Sequence, residues 1–132
     1  MIKELKTAPK NAAQDGKPRA TLIPMDILME YLIPAYEEGI VKYERESWRR
    51  GFIVSEMIDA CKRHTDAFFY KNEDIDSDSS TNKHHLAGAI FSLISALHTL
   101  KYHPELDDRT DPATGEFNFT TIALEIEDKK SA

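Results

Sequence analysis

Two helical segments joined by an acidic stretch constrain the fold of this chain more than any other feature. Residues 53–72 and 84–103 both carry apolar side chains at every third or fourth position. On the second segment these are Leu86, Ala89, Ile90, Leu93, Ile94, Leu97 and Leu100. This spacing is typical of amphipathic α-helices that pack against other helices. The stretch between the segments has no apolar period, so the sequence predicts a helix, a loop and a second helix.

The loop and the neighbouring helix ends carry groups that bind metals and phosphates. The loop itself holds Glu73, Asp74, Asp76 and Asp78. Arg63 and His64 lie on the preceding helix, and His84 and His85 open the following one. Carboxylates hold Mg²⁺ or Mn²⁺, and proteins use these ions mostly on phosphates. The alternatives are a solvated acidic connector and, for the two histidines, a structural cap of the loop.

A further helix is expected from about Pro24. Its apolar positions are Ile27, Leu28, Tyr31, Leu32, Ala35 and Tyr36. Pro24 suits a first helical turn, where its missing N–H costs nothing. Pro34 lies inside the pattern and predicts a kink or two segments, 25–32 and 34–44. Glu37, Glu38 and Lys42 would share one side of the second piece, either as ligand-binding groups or as an exposed charged face.

The break after this helix contains the single tryptophan, Trp48. It is flanked by Arg45, Arg49 and Arg50, and Gly51 supplies a turn. A tryptophan in this setting either stacks a base through its ring or plugs the end of a helical hairpin.

The next helix has Ser55 as a candidate N-cap. Glu56, Asp59 and Arg63 follow at i, i+3 and i+7, so they share one stripe of the helix. The pair of acids in this stripe either binds a divalent cation or lies on a plain solvated face. The sequence leaves both interpretations open.

The two ends of the chain differ from the helical middle. Residues 1–20 carry little apolar material, which predicts an extended or mobile arm. In it, Lys17 and Arg19 form either a solvated basic tail or part of an arm that folds over an anionic ligand. Near the other end, FNFTTIALEIE alternates in a way that predicts a short β-hairpin or an edge strand. We therefore divide the chain into an arm (1–20), a helical domain (21–109) and a C-terminal extension (110–132).

Length and charge exclude several classes of protein. A chain of 132 residues is long enough for one domain with its own core. Its 23 acidic and 17 basic residues argue against polymeric nucleic acid as a partner, but not against a small nucleotide. The lone Cys61 cannot form an internal disulfide, and no apolar run reaches the roughly 20 residues that span a membrane. We expect a cytoplasmic protein with no membrane partner.

Six short segments occur in an order that resembles a known family. They are DGKPRATLIP, KYERESWRRGF, DACKRH, EDIDSDSS, HHLAGA and HPELDDR, between residues 15 and 109. In this order they resemble the phage dATP/dGTP diphosphohydrolases, a MazZ-like group related to the all-α MazG-type nucleoside triphosphate pyrophosphatases. The resemblance implies an all-α helical bundle of MazG-like type, assembled as a homo-oligomer (dimer or tetramer), in the host cytoplasm if the protein is phage-encoded. The implied activity is Mg²⁺- or Mn²⁺-dependent cleavage of a purine deoxynucleoside triphosphate to the monophosphate and pyrophosphate.

The resemblance also implies roles for individual residues. The implied metal ligands are Asp59, Glu73 and Asp76. The implied catalytic residues are Arg63, His64 and Lys42. The implied substrate-binding residues are Lys17, Arg19, Trp48 and His85. In this scheme carboxylates hold metals that neutralise the phosphates and generate hydroxide, while the cations stabilise charge at the α-phosphorus and on the leaving pyrophosphate.

The chain departs from the family pattern at several positions. Glu44 stands in place of a glycine and Ser47 in place of an asparagine. Gly88 and Ser92, on one face of a helix, replace a histidine and an asparagine, and Val41 replaces the last glutamate of an E-x-x-E pair. These departures fit a weakened metal site, a changed substrate or binding without turnover. The alternative functions are an inactive or weak homologue that binds or sequesters a nucleotide-type ligand, for example as a phage accessory protein, and a helical interaction module.

Overall fold

The computed structural model describes residues 16–117, and in them it shows three α-helices. These are α1 (Met25–Lys42), α2 (Val54–Tyr70) and α3 (His85–Tyr102). Three short 3-10 turns accompany them, at Ala20–Leu22, Ser47–Arg50 and Pro104–Leu106. No strand is formed within residues 16–117, where two isolated antiparallel bridges join Ile75 to His84 and Thr110 to Phe117. The predicted all-α fold is confirmed.

The predicted C-terminal hairpin is not borne out. Of the segment FNFTTIALEIE only Phe117 belongs to the described residues, and it makes a single bridge with Thr110. That bridge closes a turn in which the N–H of Asp111 donates to the carbonyl of Glu116 and Gly115 has a φ of +73°. Residues 118–127 of the predicted hairpin lie outside the described residues, as do residues 1–15 of the predicted arm.

The first helix runs through its internal proline without interruption, so the expected division into two segments is wrong. Pro34 has no N–H and therefore gives no hydrogen bond to the preceding turn of α1. Its own carbonyl accepts a hydrogen bond from the hydroxyl of Thr81, with an oxygen–oxygen distance of 2.6 Å. This contact joins the middle of α1 to the loop that precedes α3.

The start of α2 is capped from a distant part of the chain rather than by Ser55. Ile53 occupies the N-cap position and makes no side-chain cap. Instead, the carboxylate of Asp108 accepts from the backbone N–H of Ser55 at 2.9 Å and also from its hydroxyl. A carboxylate is stabilised at a helix N-terminus because the unpaired N–H groups and the helix dipole attract negative charge. The segment after α3 therefore holds the start of α2 in place.

Helices α2 and α3 pack closely because the inner face of α3 is built from small side chains. Ala87, Gly88, Ala89, Ser92, Ser95, Ala96 and Thr99 are all buried. The hydroxyl oxygen of Thr99 also accepts a hydrogen bond from the N–H of Phe52 at 3.1 Å, which connects α3 to the segment before α2. Small side chains let the α2 backbone approach α3, and they place α2 groups directly against the α3 backbone.

Large apolar side chains are exposed on the outer faces of α1 and α3. Met29 is 53% exposed, Ile40 51% and Leu97 66%. The buried apolar residues are small by comparison: Ala35, Val54, Ala87, Ala89 and Ala96. No helix in residues 16–117 combines the length and the hydropathy that crossing a lipid bilayer requires.

Candidate functional site

A cavity of about 410 Å³ lies between α1, α2, α3 and the segment that connects α1 to α2. A cavity of this volume is in the range that holds a small organic ligand. Its lining includes the ionisable side chains of Glu38, Lys42, His64 and Lys83. It also includes the aromatic rings of Tyr36, Trp48, Phe52 and Phe91. The cavity therefore offers both groups that bind phosphate and groups that pack against a ring.

Three ionisable side chains, Glu38, Lys83 and Asp76, form what we call the charged cluster. The ammonium nitrogen of Lys83 lies 2.5 Å from Oε2 of Glu38 and 3.5 Å from Oδ2 of Asp76. The side chains are largely shielded from water, with exposed fractions of 7% for Glu38, 12% for Lys83 and 15% for Asp76. Lys42 reaches the same glutamate oxygen at 3.9 Å but is 49% exposed. Lys83 is therefore the main counter-ion of both carboxylates.

Both carboxylates of the charged cluster are ionised at neutral pH. Burial raises the pKa of Glu38, but the hydrogen bond and the charge of Lys83 outweigh it, and the pKa falls below its ordinary value. Burial likewise raises the pKa of Asp76, and the N–H of Asp78 together with the charge of Lys83 brings it below its ordinary value. Oε1 of Glu38 is buried and has no hydrogen-bond partner within residues 16–117. Ser79 is a further hydrogen-bonding group that lowers the pKa of Glu38.

Glu73, His85 and His64 form a second group, which we call the histidine relay. Oε1 of Glu73 lies 2.8 Å from Nε2 of His85, and Nδ1 of His85 lies 2.9 Å from Nδ1 of His64. The hydrogen bond from His85 lowers the pKa of Glu73, so this carboxylate only accepts and Nε2 of His85 carries the proton. The two Nδ1 atoms share one hydrogen bond, in which the tautomers of the two rings decide which one donates.

The environment of His64 keeps this ring neutral. Burial lowers its pKa, and the positive charge of Lys83 lowers it further. The ring lies directly over the α3 backbone at Gly88, and both residues line the cavity. The Nε2 edge of the ring faces Gly88, so Nδ1 is the nitrogen turned toward His85, and a metal ion bound there would replace the hydrogen bond between the two Nδ1 atoms.

The donor set of this site fits a divalent metal ion. His64, Asp76 and His85 each offer one ligand atom, and these atoms lie within 4.8 Å of one another. Two imidazoles and one carboxylate suit a first-row transition ion such as Mn²⁺ better than Mg²⁺, which prefers oxygen ligands. The hydrogen bond from His85 to Glu73 is the contact that usually orients a metal-binding imidazole. The carboxylate of Glu38 adds an anionic group to the same cavity.

The structure brings some of the predicted site residues together. His64, His85 and Asp76 come together, and Glu73 is bonded to His85. Lys42 and Trp48 line the cavity. Trp48 also plugs the helix ends as the alternative interpretation proposed, since its ring contacts Tyr36 and His98 and the guanidinium of Arg49. His84, next to His85, is a structural cap at the start of α3, because its Nδ1 accepts a hydrogen bond from the N–H of Leu86 at 3.0 Å.

The predicted ligand trio of Asp59, Glu73 and Asp76 does not come together. Asp59 is exposed, as are Glu56 and Arg63 of the same stripe. The reason is geometric: five residues of α-helix separate Asp59 from His64, so their side chains point about 140° apart around the axis. Because His64 faces α3, Asp59 faces away from the cavity. Glu73 contacts His85 rather than another carboxylate.

The predicted cations Lys17, Arg19 and Arg63 are exposed, and none of them lines the cavity. Two residues of the charged cluster were not assigned to the site from the sequence, namely Lys83 and Glu38. Lys83 lies in a segment without periodicity, and its partner Glu38 is 45 positions away. The acidic loop was the available signal for Lys83, because several carboxylates close together are stabilised by a nearby cation.

Comparison with known proteins identifies a family. The family model described as "dATP/dGTP diphosphohydrolase, N-terminal" matches residues 7–109. The match includes all three helices and every residue of the charged cluster and the histidine relay. Neither the comparison with curated proteins nor the comparison with solved structures gives a match.

Proposed function

The chain belongs to the dATP/dGTP diphosphohydrolase N-terminal family, and on this premise we propose that it hydrolyses a purine deoxynucleoside triphosphate. The products are the monophosphate and pyrophosphate, and the reaction takes place in the cavity between the three helices. One observation carries this function: a cavity of about 410 Å³ has two lysines, an imidazole and aromatic rings among its lining residues. These are the groups that a triphosphate, a water nucleophile and a base require.

The triphosphate binds at the lysines of the cavity lining. Lys42 and Lys83 both line the cavity, and both approach Glu38. An incoming triphosphate offers these ammonium groups additional anionic oxygens, so they bind its negative charge and stabilise the charge that develops during cleavage. The base and sugar pack against the aromatic rings of the lining, where Tyr36, Trp48 and Phe91 lie edge to face.

A divalent ion, Mn²⁺ or Mg²⁺, would be held by His64, Asp76 and His85. When bound, such an ion screens phosphate charge and lowers the pKa of a water molecule. Glu73 keeps the proton of His85 on Nε2 and thereby presents Nδ1 of His85 to the site. The phosphate contacts expected for Lys17, Arg19 and Arg63 remain predictions, since these side chains are exposed outside the cavity.

The enzyme works as a homo-oligomer. Exposed large apolar side chains on α1 and α3, such as Met29, Ile40 and Leu97, support this assembly because another subunit would cover apolar surface that is otherwise left in water. Polymeric nucleic acid and membranes are not expected as partners, given the net charge of −6.

The test is a release assay with a matched pair of variants. The protein is incubated with each of the four deoxynucleoside triphosphates and Mn²⁺, and pyrophosphate is measured. We expect release from dATP or dGTP that Asp76→Asn abolishes and that Asp59→Asn leaves near the wild-type rate. Asp59 is the control because it is an acid of the same family motifs that is exposed and belongs neither to the charged cluster nor to the group of His64, Asp76 and His85.

Two results would contradict hydrolysis at this site. Equal loss of activity in both variants would remove the cavity from the reaction. Tight binding of a purine deoxynucleotide with no pyrophosphate release would instead support the sequestering alternative.

A further inference from the structure

A close approach between α2 and α3 sets the position of His64. A Cβ atom built on Gly88 would lie 2.7 Å from Nε2 of His64, 2.8 Å from Cε1 and 2.9 Å from Cδ2. All three distances are shorter than real Cβ contacts. One edge of the imidazole therefore occupies the space that any other residue at position 88 would need.

The His64 ring has little freedom to move away. Its Nδ1 is hydrogen-bonded to His85 at 2.9 Å, and His85 is in turn bonded to Glu73. A displaced ring would lose the hydrogen bond to His85. The His64 ring therefore keeps its place in the histidine relay only while position 88 carries no side chain.

Glycine is an unfavourable residue at this position for the helix alone. It lies inside α3, where alanine would stabilise the helix. Its φ is not positive, so backbone conformation does not require glycine here. In this chain the contact with His64 favours glycine, because a Cβ would push the imidazole away from its hydrogen bond with His85.

We propose that Gly88 is a positioning residue, which seats the His64 imidazole on α3 and so aligns Nδ1 of His64 with His85 at the metal-binding group. This role deepens the proposed function and rests on it for its catalytic consequence. Its structural consequence, the placement of His64, holds whether or not the protein hydrolyses nucleotides.

Gly39 provides the matched control. It is also a helical glycine, in α1, and it lines the same cavity, but a Cβ at Gly39 would meet nothing within 4 Å. Both Gly88→Ala and Gly39→Ala thus add a methyl group to the cavity lining. The methyl group collides with His64 in Gly88→Ala and with nothing in Gly39→Ala.

The first measurement needs no nucleotide. Long-range ¹H–¹⁵N spectra of the histidine rings report which nitrogen of His64 carries the proton. We expect the His64 ring signals of the wild type and of Gly39→Ala to agree, and those of Gly88→Ala to change because the hydrogen bond to His85 is lost. Unchanged His64 ring signals in Gly88→Ala would overturn the positioning role, whatever the enzyme activity.

The second measurement is calorimetric titration with Mn²⁺ alone. Gly88→Ala is expected to weaken Mn²⁺ binding at least about tenfold, the loss typical when an imidazole ligand is misoriented. Gly39→Ala should bind Mn²⁺ like the wild type. In a His64→Ala background, which removes the collision, Gly88→Ala should cause no further loss. An equal loss in that background would mean general damage to α3 and would contradict the role.

The third measurement connects the position of His64 to turnover. Pyrophosphate release by Gly88→Ala should show a kcat lowered by about tenfold or more with a KM within about threefold of wild type, because the triphosphate-binding lysines are unchanged. If the wild type releases no pyrophosphate, the proposed function fails, while the ring spectra and the Mn²⁺ titration still decide the role of Gly88. A higher KM with unchanged kcat would contradict positioning of His64.

Discussion

Part of the charged cluster and most of the aromatic residues line the same cavity, but different forces hold them in place. Lys83 has two specific partners, Glu38 and Asp76, at defined distances in a largely buried place. The aromatic cluster, formed by Tyr36, Trp48, Phe91 and His98, is held by edge-to-face ring contacts at centroid distances of 4.9 to 5.8 Å. Each ring contact contributes about 0.5–1.5 kcal/mol beyond burial, and such contacts can rearrange. Removing one partner of a buried ion pair instead leaves an uncompensated charge.

The largest effect is therefore expected at Lys83. Lys83→Met should lower the free energy of unfolding by about 3–5 kcal/mol, because Glu38 and Asp76 would remain buried without a counter-ion. Urea denaturation followed by circular dichroism measures this cost.

Lys42→Met is the matched control for Lys83→Met. Lys42 approaches the same oxygen of Glu38 but is about half exposed, so its removal should cost no more than about 1 kcal/mol. An equal loss of unfolding free energy in the two variants would mean that the burial of Lys83 does not make it more important for stability than the exposed Lys42.

A smaller effect is expected in the aromatic cluster. Trp48→Ala should lower the free energy of unfolding by about 2–3 kcal/mol, since Trp48 is only partly buried and its neighbours can close part of the space. The same denaturation experiment measures it. In the release assay the variant should raise KM for the nucleotide more than it lowers kcat, because the ring packs against the substrate and not against the reacting phosphate. A stability cost above that of Lys83→Met would invert the comparison.

The smallest expected effect is a dependence of stability on pH, to which His64 near the charged cluster and His98 in the aromatic cluster both contribute. Burial lowers the pKa of His64 and of His98 below the ordinary value of 6.5. Below that pH the unfolded chain binds protons that the folded chain excludes, so stability is complete above pH 6.5 and falls as pH decreases toward the folded-state pKa values. The lowered pKa values of Glu38 and Asp76 extend this loss to more acidic pH.

Unfolding at a series of pH values with His64→Gln and His98→Gln separates the two contributions. In each variant the free energy of unfolding should fall less steeply between pH 6.5 and 5 than in the wild type, because one titrating histidine is removed. Stability that stays constant over this range in the wild type would show that neither histidine is held neutral.

The helices and part of the site were predictable from local pattern. Apolar spacing located all three helices, and the clustering of acids and histidines around the loop pointed to Asp76, His64 and His85. Periodicity identified the stripe of Glu56, Asp59 and Arg63, but it does not tell which stripe faces the neighbouring helix, and this stripe faces solvent.

Residues whose role depends on tertiary approach were not predictable in the same way. Lys83 pairs with a glutamate 45 positions away. Glycine is favoured at position 88 only because α2 brings His64 over that point of α3. The cap of α2 is supplied by Asp108, 53 positions from Ser55. None of these relations leaves a local signal in the sequence.

The most direct test of the central claim is a crystal soaked with Mn²⁺ and a slowly hydrolysed purine deoxynucleoside triphosphate analogue, measured at a wavelength where manganese scatters anomalously. The account predicts an anomalous peak among His64, Asp76 and His85, with the triphosphate next to Lys42 and Lys83. A manganese peak on the exposed Glu56–Asp59 stripe, with the nucleotide outside the cavity, would contradict it.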